Sequence, residues 1–294
     1  MGEVVADGPL VGARALARAA EPFHAITYYS REMSDLRDVG YKGWWHAYFG
    51  YRPAPMGAVG ASVVTATFYN FAPRMVERAV PGVWAINTPE QALTIRRERV
   101  DAALARIYAD DRFAPLLAEG ADLVRTATAG CDIGARPLTA AHLDLDWPAG
   151  PASVLWHGCT LLREHRGESH NLALAAAGVD PVASHVLMAG RGHGNRVTIQ
   201  SIRGWTDDEW AAAVGGLAER GWAEADGTLT EAGSAARSAI EAHTDELSSG
   251  PLRAVGGDLD RLLAALQALD EHLLVTGEVS GRWPPEHLMQ ADRH

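Results

Sequence analysis

The pattern that most constrains this chain is a helix, turn and helix series in residues 201–247, whose boundaries are set by capping chemistry. Thr206 precedes Asp207-Asp208-Glu209-Trp210, so its hydroxyl can accept the third backbone N–H while Glu209 reaches back, a capping box that starts a helix. The helix runs through Ala211, Ala212, Ala213 and Val214 to Leu217, and Glu219-Arg220-Gly221-Trp222 ends it. Ala223 to Leu229, turning at Asp226-Gly227, predicts a β-hairpin wing, and Thr230 caps the next helix. Upstream, helices are expected over Ala152 to about Arg166, Asn171 to Ala177 and Pro181 to Met188, then a Gly190 to Asn195 loop and a short strand from Val197 to Ile202. This is the order of a winged helix. A DNA reader sets cations and helix N-terminal amides against phosphate, yet three carboxylates occupy the first turn here. With Arg203, Arg220 and Arg237 against ten Asp and Glu, the segment carries a net charge of about −7.

The whole chain has 294 residues, 47% of them hydrophobic, enough for one large core or two ordinary domains. Its formal charge of −11 opposes loose attraction to nucleic acid or to an anionic membrane. Cys131 and Cys159 make no zinc spacing, and a reduced, cytoplasmic setting is the simplest expectation. Acid replaces base at the start, and no apolar run reaches the roughly 18 residues of a membrane span, so neither export nor anchoring is expected. Helical patterns cover 12–22, 30–39 and 113–128, and a longer one at 88–108 places its arginines on an exposed face. Two short helices are expected within 55–80, after an aromatic block of Trp44, Trp45, Tyr48, Phe49 and Tyr51. Residues 137–151 read as a linker because Pro, Gly and short polar residues interrupt every period, and leucines from 259 to 274 mark a final helix over 258–275. The expected fold is mostly α, with two winged-helix-like halves. They are a helical, degenerate winged-helix domain at 1–145 and a winged-helix domain with its hairpin wing and C-terminal helix at 146–294.

The densest polar run is Arg163-Glu164-His165-Arg166-Gly167-Glu168-Ser169-His170, with Trp156 and His157 two turns earlier. On a helix His157 and Glu164 share a face, while His165 lies about 100° around from Glu164. A carboxylate beside a histidine can tune a general base, and arginines can hold an anion; the same residues could equally form a network that ties a turn together. Residues Thr67 to Arg74 mix Phe68 and Phe71, which have core spacing, with Tyr69, Asn70 and Arg74, which can orient a ligand or serve a turn. No metal site is expected, because His165 and His170 are five apart rather than four. Gly190 to Gly194 lacks the P-loop lysine, and no cofactor motif is present.

Taken together, His24 after Glu21-Pro22, the Tyr69 to Arg74 segment, the Arg163 to Gly167 run and the Thr206 to Gly233 cassette resemble a family of actinobacterial proteins described as helix-turn-helix, or MarR-like winged-helix. That resemblance implies a transcription factor. The residues themselves point instead to a small-molecule binder whose winged helix is not used on DNA. Its pocket is expected between the halves, with His24, Arg52, Tyr69, Asn70, Arg74, Trp156, Arg163, Arg166 and His170 binding an aromatic, partly anionic ligand. An alternative is a cofactor-independent acid/base enzyme using His165 or His157 as base and Glu164 as partner; a ligand-responsive regulator is third. Nucleic acid and membrane are not expected partners, and homodimerisation is left open.

Overall fold

Proline at the first helical position opens five of the helices, where its missing N–H is no loss and its fixed φ suits the first turn. The computed structural model describes residues 12–192 and 194–279. In order the helices are α1 (Ala13–Tyr29), α2 (Arg31–Ser34), α3 (Trp44–Tyr51), α4 (Ala61–Phe68), α5 (Pro73–Glu77), α6 (Pro89–Ile107), α7 (Ala114–Thr128) and α8 (Pro137–Leu143). They continue with α9 (Pro151–Ala176), α10 (Pro181–Gly190), α11 (Arg196–Arg203), α12 (Asp207–Glu219), α13 (Glu231–Leu247), α14 (Gly250–Val255) and α15 (Leu259–Thr276). Capping boxes at Thr88/Gln91 and Thr206/Glu209 start α6 and α12, and Thr230 caps α13.

Helix α9 organises the molecule. It packs against α1, α7 and α13, and its two ends belong to different apolar clusters. Leu155, Trp156, Cys159 and Leu162 join a large core with Phe23, Phe49, Phe71, Leu104 and the α15 leucines 262, 266 and 269. Ala173 and Leu174 join a second core with Val186, Leu187, Ile199, Trp210, Leu217 and Ile240. The two cores thus divide within α9, and α15 returns to the first. Gly158 allows α7 to approach α9, since a Cβ there would stand 2.4 Å from Val124.

Four expectations are corrected. The hairpin wing is reduced to one antiparallel bridge, Ala223 to Leu229, and no strand forms among the described residues. Five residues between the bridged pair leave room for a turn, with Glu224 N–H bonded to the Thr228 carbonyl, but not for a ladder. The strand expected over 197–202 is α11, because the Asn195 side chain caps it and Ile199 and Ile202 are buried at helical spacing. The break at Gly167 does not occur: α9 is continuous through it, and Glu168 and Ser169 beyond it are buried and bonded. The linker contains α8, whose first amides, at Leu138 and Thr139, donate to the distant Glu168 carboxylate at 2.9 and 2.8 Å.

Candidate functional site

The polar stretch of α9 brings its charges into the protein as well as to its surface. Glu164 is buried, and Arg52, at the end of α3, meets it in a two-pronged pair, Nε to Oε1 at 3.0 Å and Nη2 to Oε2 at 2.8 Å. Arg163 donates to the same Oε2 at 2.9 Å. Tyr48, one turn before Arg52, accepts from Arg52 Nη1 at 2.5 Å, and the Phe68 ring lies 4.0 Å from the guanidinium. Burial opposes ionisation of Glu164, but the charges of Arg52 and Arg163 outweigh it and hold the carboxyl well below its usual range. His24 abuts this cluster through Thr160, Nδ1 to Oγ1 at 3.0 Å, and burial and Arg163 push its pKa well down.

Outside the cluster a cleft of about 260 Å³ opens between α1, α9 and α13. Glu21 and Ala17 line one wall, Arg163, Arg166, Gly167 and His170 the floor, and Glu241 and Thr244 the other wall. Gly167 keeps the floor low: a Cβ there would lie 3.6 Å from Arg163 Nη1 and 4.0 Å from Glu164 Oε2. Arg166 is held by Asp245 at 2.8 Å and Glu241 at 3.3 Å, and His170 Nδ1 lies 3.0 Å from Thr244 Oγ1. Burial pushes the His170 pKa down to about 4, against the raising effect of Glu241.

The remaining candidates lie elsewhere. His165 faces the α7–α8 connection, with Nε2 3.4 Å from Asp132 Oδ2, and His157 lies against Trp147 and His142, at ring separations of 4.8 and 6.2 Å. His157, Glu164 and His165 therefore have partners in three separate neighbourhoods, and among the described residues neither histidine is hydrogen-bonded to Glu164. Trp156 joins His157 at a second pocket, beside Arg96.

Tyr69, Asn70 and Arg74 instead fasten the second core to the first. Tyr69 has φ 60° and ψ −55°, and Asn70 N–H reaches the Phe68 carbonyl at 2.7 Å, a γ-turn that is sterically costly for a non-glycine residue. The turn presents the Asn70 carbonyl to His185 Nε2 at 2.9 Å and Trp205 Nε1 at 3.2 Å. The Tyr69 hydroxyl donates to the Val179 carbonyl at 2.5 Å, and Arg74 pairs with Glu209 at the start of α12. It is a clamp made largely through main-chain atoms.

Sequence reasoning also missed residues. Tyr48 could have been found from its i, i+4 spacing to Arg52, whereas Glu241 and Thr160 carry no local signal. The arginines of α6 are not uniformly exposed: Arg97 is, and Arg96 is buried.

The exposed face of α12 carries Asp207, Asp208, Ala211, Ala212, Gly215, Gly216 and Glu219, with no cation to meet a phosphate. Arg220, just after it, is turned onto Trp222 and donates to the Gly178 and Ala177 carbonyls. Among the described residues no cluster of three or more His, Cys, Asp or Glu is arranged to hold a metal ion, and no single helix is long and apolar enough to cross a membrane.

No curated protein and no solved structure matches the chain. A family model does, over residues 13–280, a span that takes in both cores and the α10 to α13 cassette. The chain belongs to that helix-turn-helix family.

Proposed function

We propose that this protein binds a small organic ligand, aromatic and partly anionic, in the cleft between α1, α9 and α13, and that its winged helix does not read DNA. The observation that carries the reading is the convergence of Arg163, Arg166 and His170 on one floor, with Arg163 fixed from behind by the buried Arg52–Glu164 pair. Walls from α1 and α13 draw on both cores, so occupancy of the cleft would be felt by the whole molecule. Polar groups held in place before a ligand arrives lose little freedom on binding, which favours affinity. Within its family we place the chain with MarR-like winged helices, on the order of α10, α11 and α12 followed by a tight bridged turn. A cytoplasmic setting accords with two free, buried cysteines.

Naphthoate, an aromatic carboxylate sized for the cleft, tests this. It should raise the melting temperature of the full chain by mass action. Arg163→Ala and His170→Ala should remove that rise while far-ultraviolet circular dichroism stays native; a rise that persists in both variants overturns the cleft assignment. Duplex DNA should show no mobility shift at physiological salt, because Asp207 and Asp208 repel the backbone that α12 would meet. Submicromolar, sequence-selective binding would instead support a regulator.

A further inference from the structure

A second pocket, of about 180 Å³, lies between α6, the loop before α9 and the first turns of α9. Three of its lining side chains are nine-tenths or more buried, Arg96 at 5%, Trp156 at 3% and His157 at 3% exposure. Each has a buried polar atom with no hydrogen-bond partner among the described residues: Arg96 Nε, Trp156 Nε1 and His157 Nε2. Such atoms are rare in folded proteins because losing water without replacement is costly, so three around one pocket call for a common partner.

The charge of Arg96 points the same way. Its one hydrogen bond among the described residues is long, Nη1 to the Tyr51 carbonyl at 3.4 Å, and its guanidinium stands 5.5 Å from the Trp156 ring. Glu164 is already committed to Arg52 and Arg163, and Asp101, farther along α6, accepts from Ser153 at 2.6 Å. Arg97 adds a cation to the lining, and Arg125 lies over Trp147, which packs on His157. Asp146, exposed, is the carboxylate among the lining residues. Two certain N–H donors, an imidazole nitrogen able to donate, and a buried cation with no carboxylate partner among the described residues match the acceptor oxygens of an anion. Leu93, Leu145 and Pro148 supply apolar wall for a short carbon body.

We propose that this pocket is a second binding site that takes a small oxyanion, the carboxylate of a short organic acid or inorganic phosphate, between Arg96, Trp156 and His157. It is separate from the cleft and does not depend on the cleft reading.

The test titrates full-length protein with benzoate and, separately, with inorganic phosphate, reading calorimetric heat and the imidazole resonances of His157, assigned with His157→Gln. Saturable binding that moves those resonances is expected, from benzoate if the ligand is an organic acid and from phosphate if it is the inorganic ion. Trp156→Phe keeps an aromatic ring while removing the N–H and part of the indole; with a native circular dichroism spectrum it should weaken binding about tenfold. Arg96→Gln should abolish binding. Arg163→Ala and His170→Ala should leave it unchanged. Undiminished affinity in Trp156→Phe, silence of His157 toward both probes, or loss of binding in the cleft variants alone would each overturn the second site.

Discussion

Around Glu164 the protein supplies its own partners: one buried carboxylate accepts from Arg52 and Arg163, and Tyr48 accepts from Arg52. Two turns earlier on the same helix, Trp156 and His157 face Arg96, and each of the three keeps a buried polar atom with no partner among the described residues. Both neighbourhoods are buried, both combine arginine with aromatic rings, and both draw on α9. What separates them is the carboxylate. A buried ion pair with its hydrogen bonds made is a finished piece of structure that can brace a surface cleft; a buried guanidinium without one is an incomplete structure, and completion from outside is binding.

The sharpest way to break this contrast is Glu164→Ala, which strands the Arg52 guanidinium inside the protein. A loss of about 3–5 kcal/mol is expected from urea unfolding, because an uncompensated buried charge remains. A loss below about 1 kcal/mol would show that the Arg52–Glu164 neighbourhood is not self-sufficient in the way described.

Acid compares the surface cleft with the second pocket next. Burial pushes His157, in the pocket, and His170, in the cleft, from 6.5 down to about 4. Between those values the unfolded chain binds the proton and the native chain does not, so this contribution is whole above about pH 6.5 and is lost as pH falls toward 4. Stability measured across that window should decline, and His157→Gln or His170→Gln should each flatten the slope by about one proton. Unchanged slopes would mean that these imidazoles become protonated without unfolding.

The clamp at Tyr69 to Arg74 supplies the smaller effects and a control for both sites. Tyr69→Phe removes the hydroxyl bond to Val179 and should cost about 1 kcal/mol. Arg74→Ala, acting on a half-exposed pair with Glu209, should cost less, about 0.2–1 kcal/mol. Neither should alter naphthoate or benzoate binding. A binding defect in either variant with a native melting temperature would return these residues to the role first expected of them.

Much of the helical content was legible before the structure. Thr88, Thr206 and Thr230 start helices where their spacing to Gln91, Glu209 and Gly233 says they should, since a cap is chemistry confined to one turn. The errors arose where a distant group decided the outcome. Gly167 looked like a stop, yet the helix continues, with Glu168 anchoring α8 and Ser169 bonded to the His165 carbonyl. A short strand was expected over 197–202, yet Ile199 joins the second core and Ile202 is buried beside it at helical spacing. Of the candidate site, Arg163, Arg166 and His170 reach the cleft together because i, i+3 and i+7 share a helical face, a regularity visible in the sequence.

The sequence by itself determined the capped helices, the acid of the first turn of α12 and the polar stripe of α9, because capping, charge and helical phase act over a few residues. Tertiary structure decided which polar residues are spent on structure and which face a ligand. Tyr69, Asn70 and Arg74 are spent because partners 110 to 135 residues away arrive to meet them. Arg96 has no carboxylate partner among the described residues, since Arg52, 112 residues from Glu164 in sequence, has joined Arg163 on that one. A hydrogen bond or ion pair forms only where packing brings its second half, and in this molecule packing supplied that half to Glu164 in the middle of α9, while Arg96 and, near the helix start, Trp156 and His157 keep polar atoms without one among the described residues.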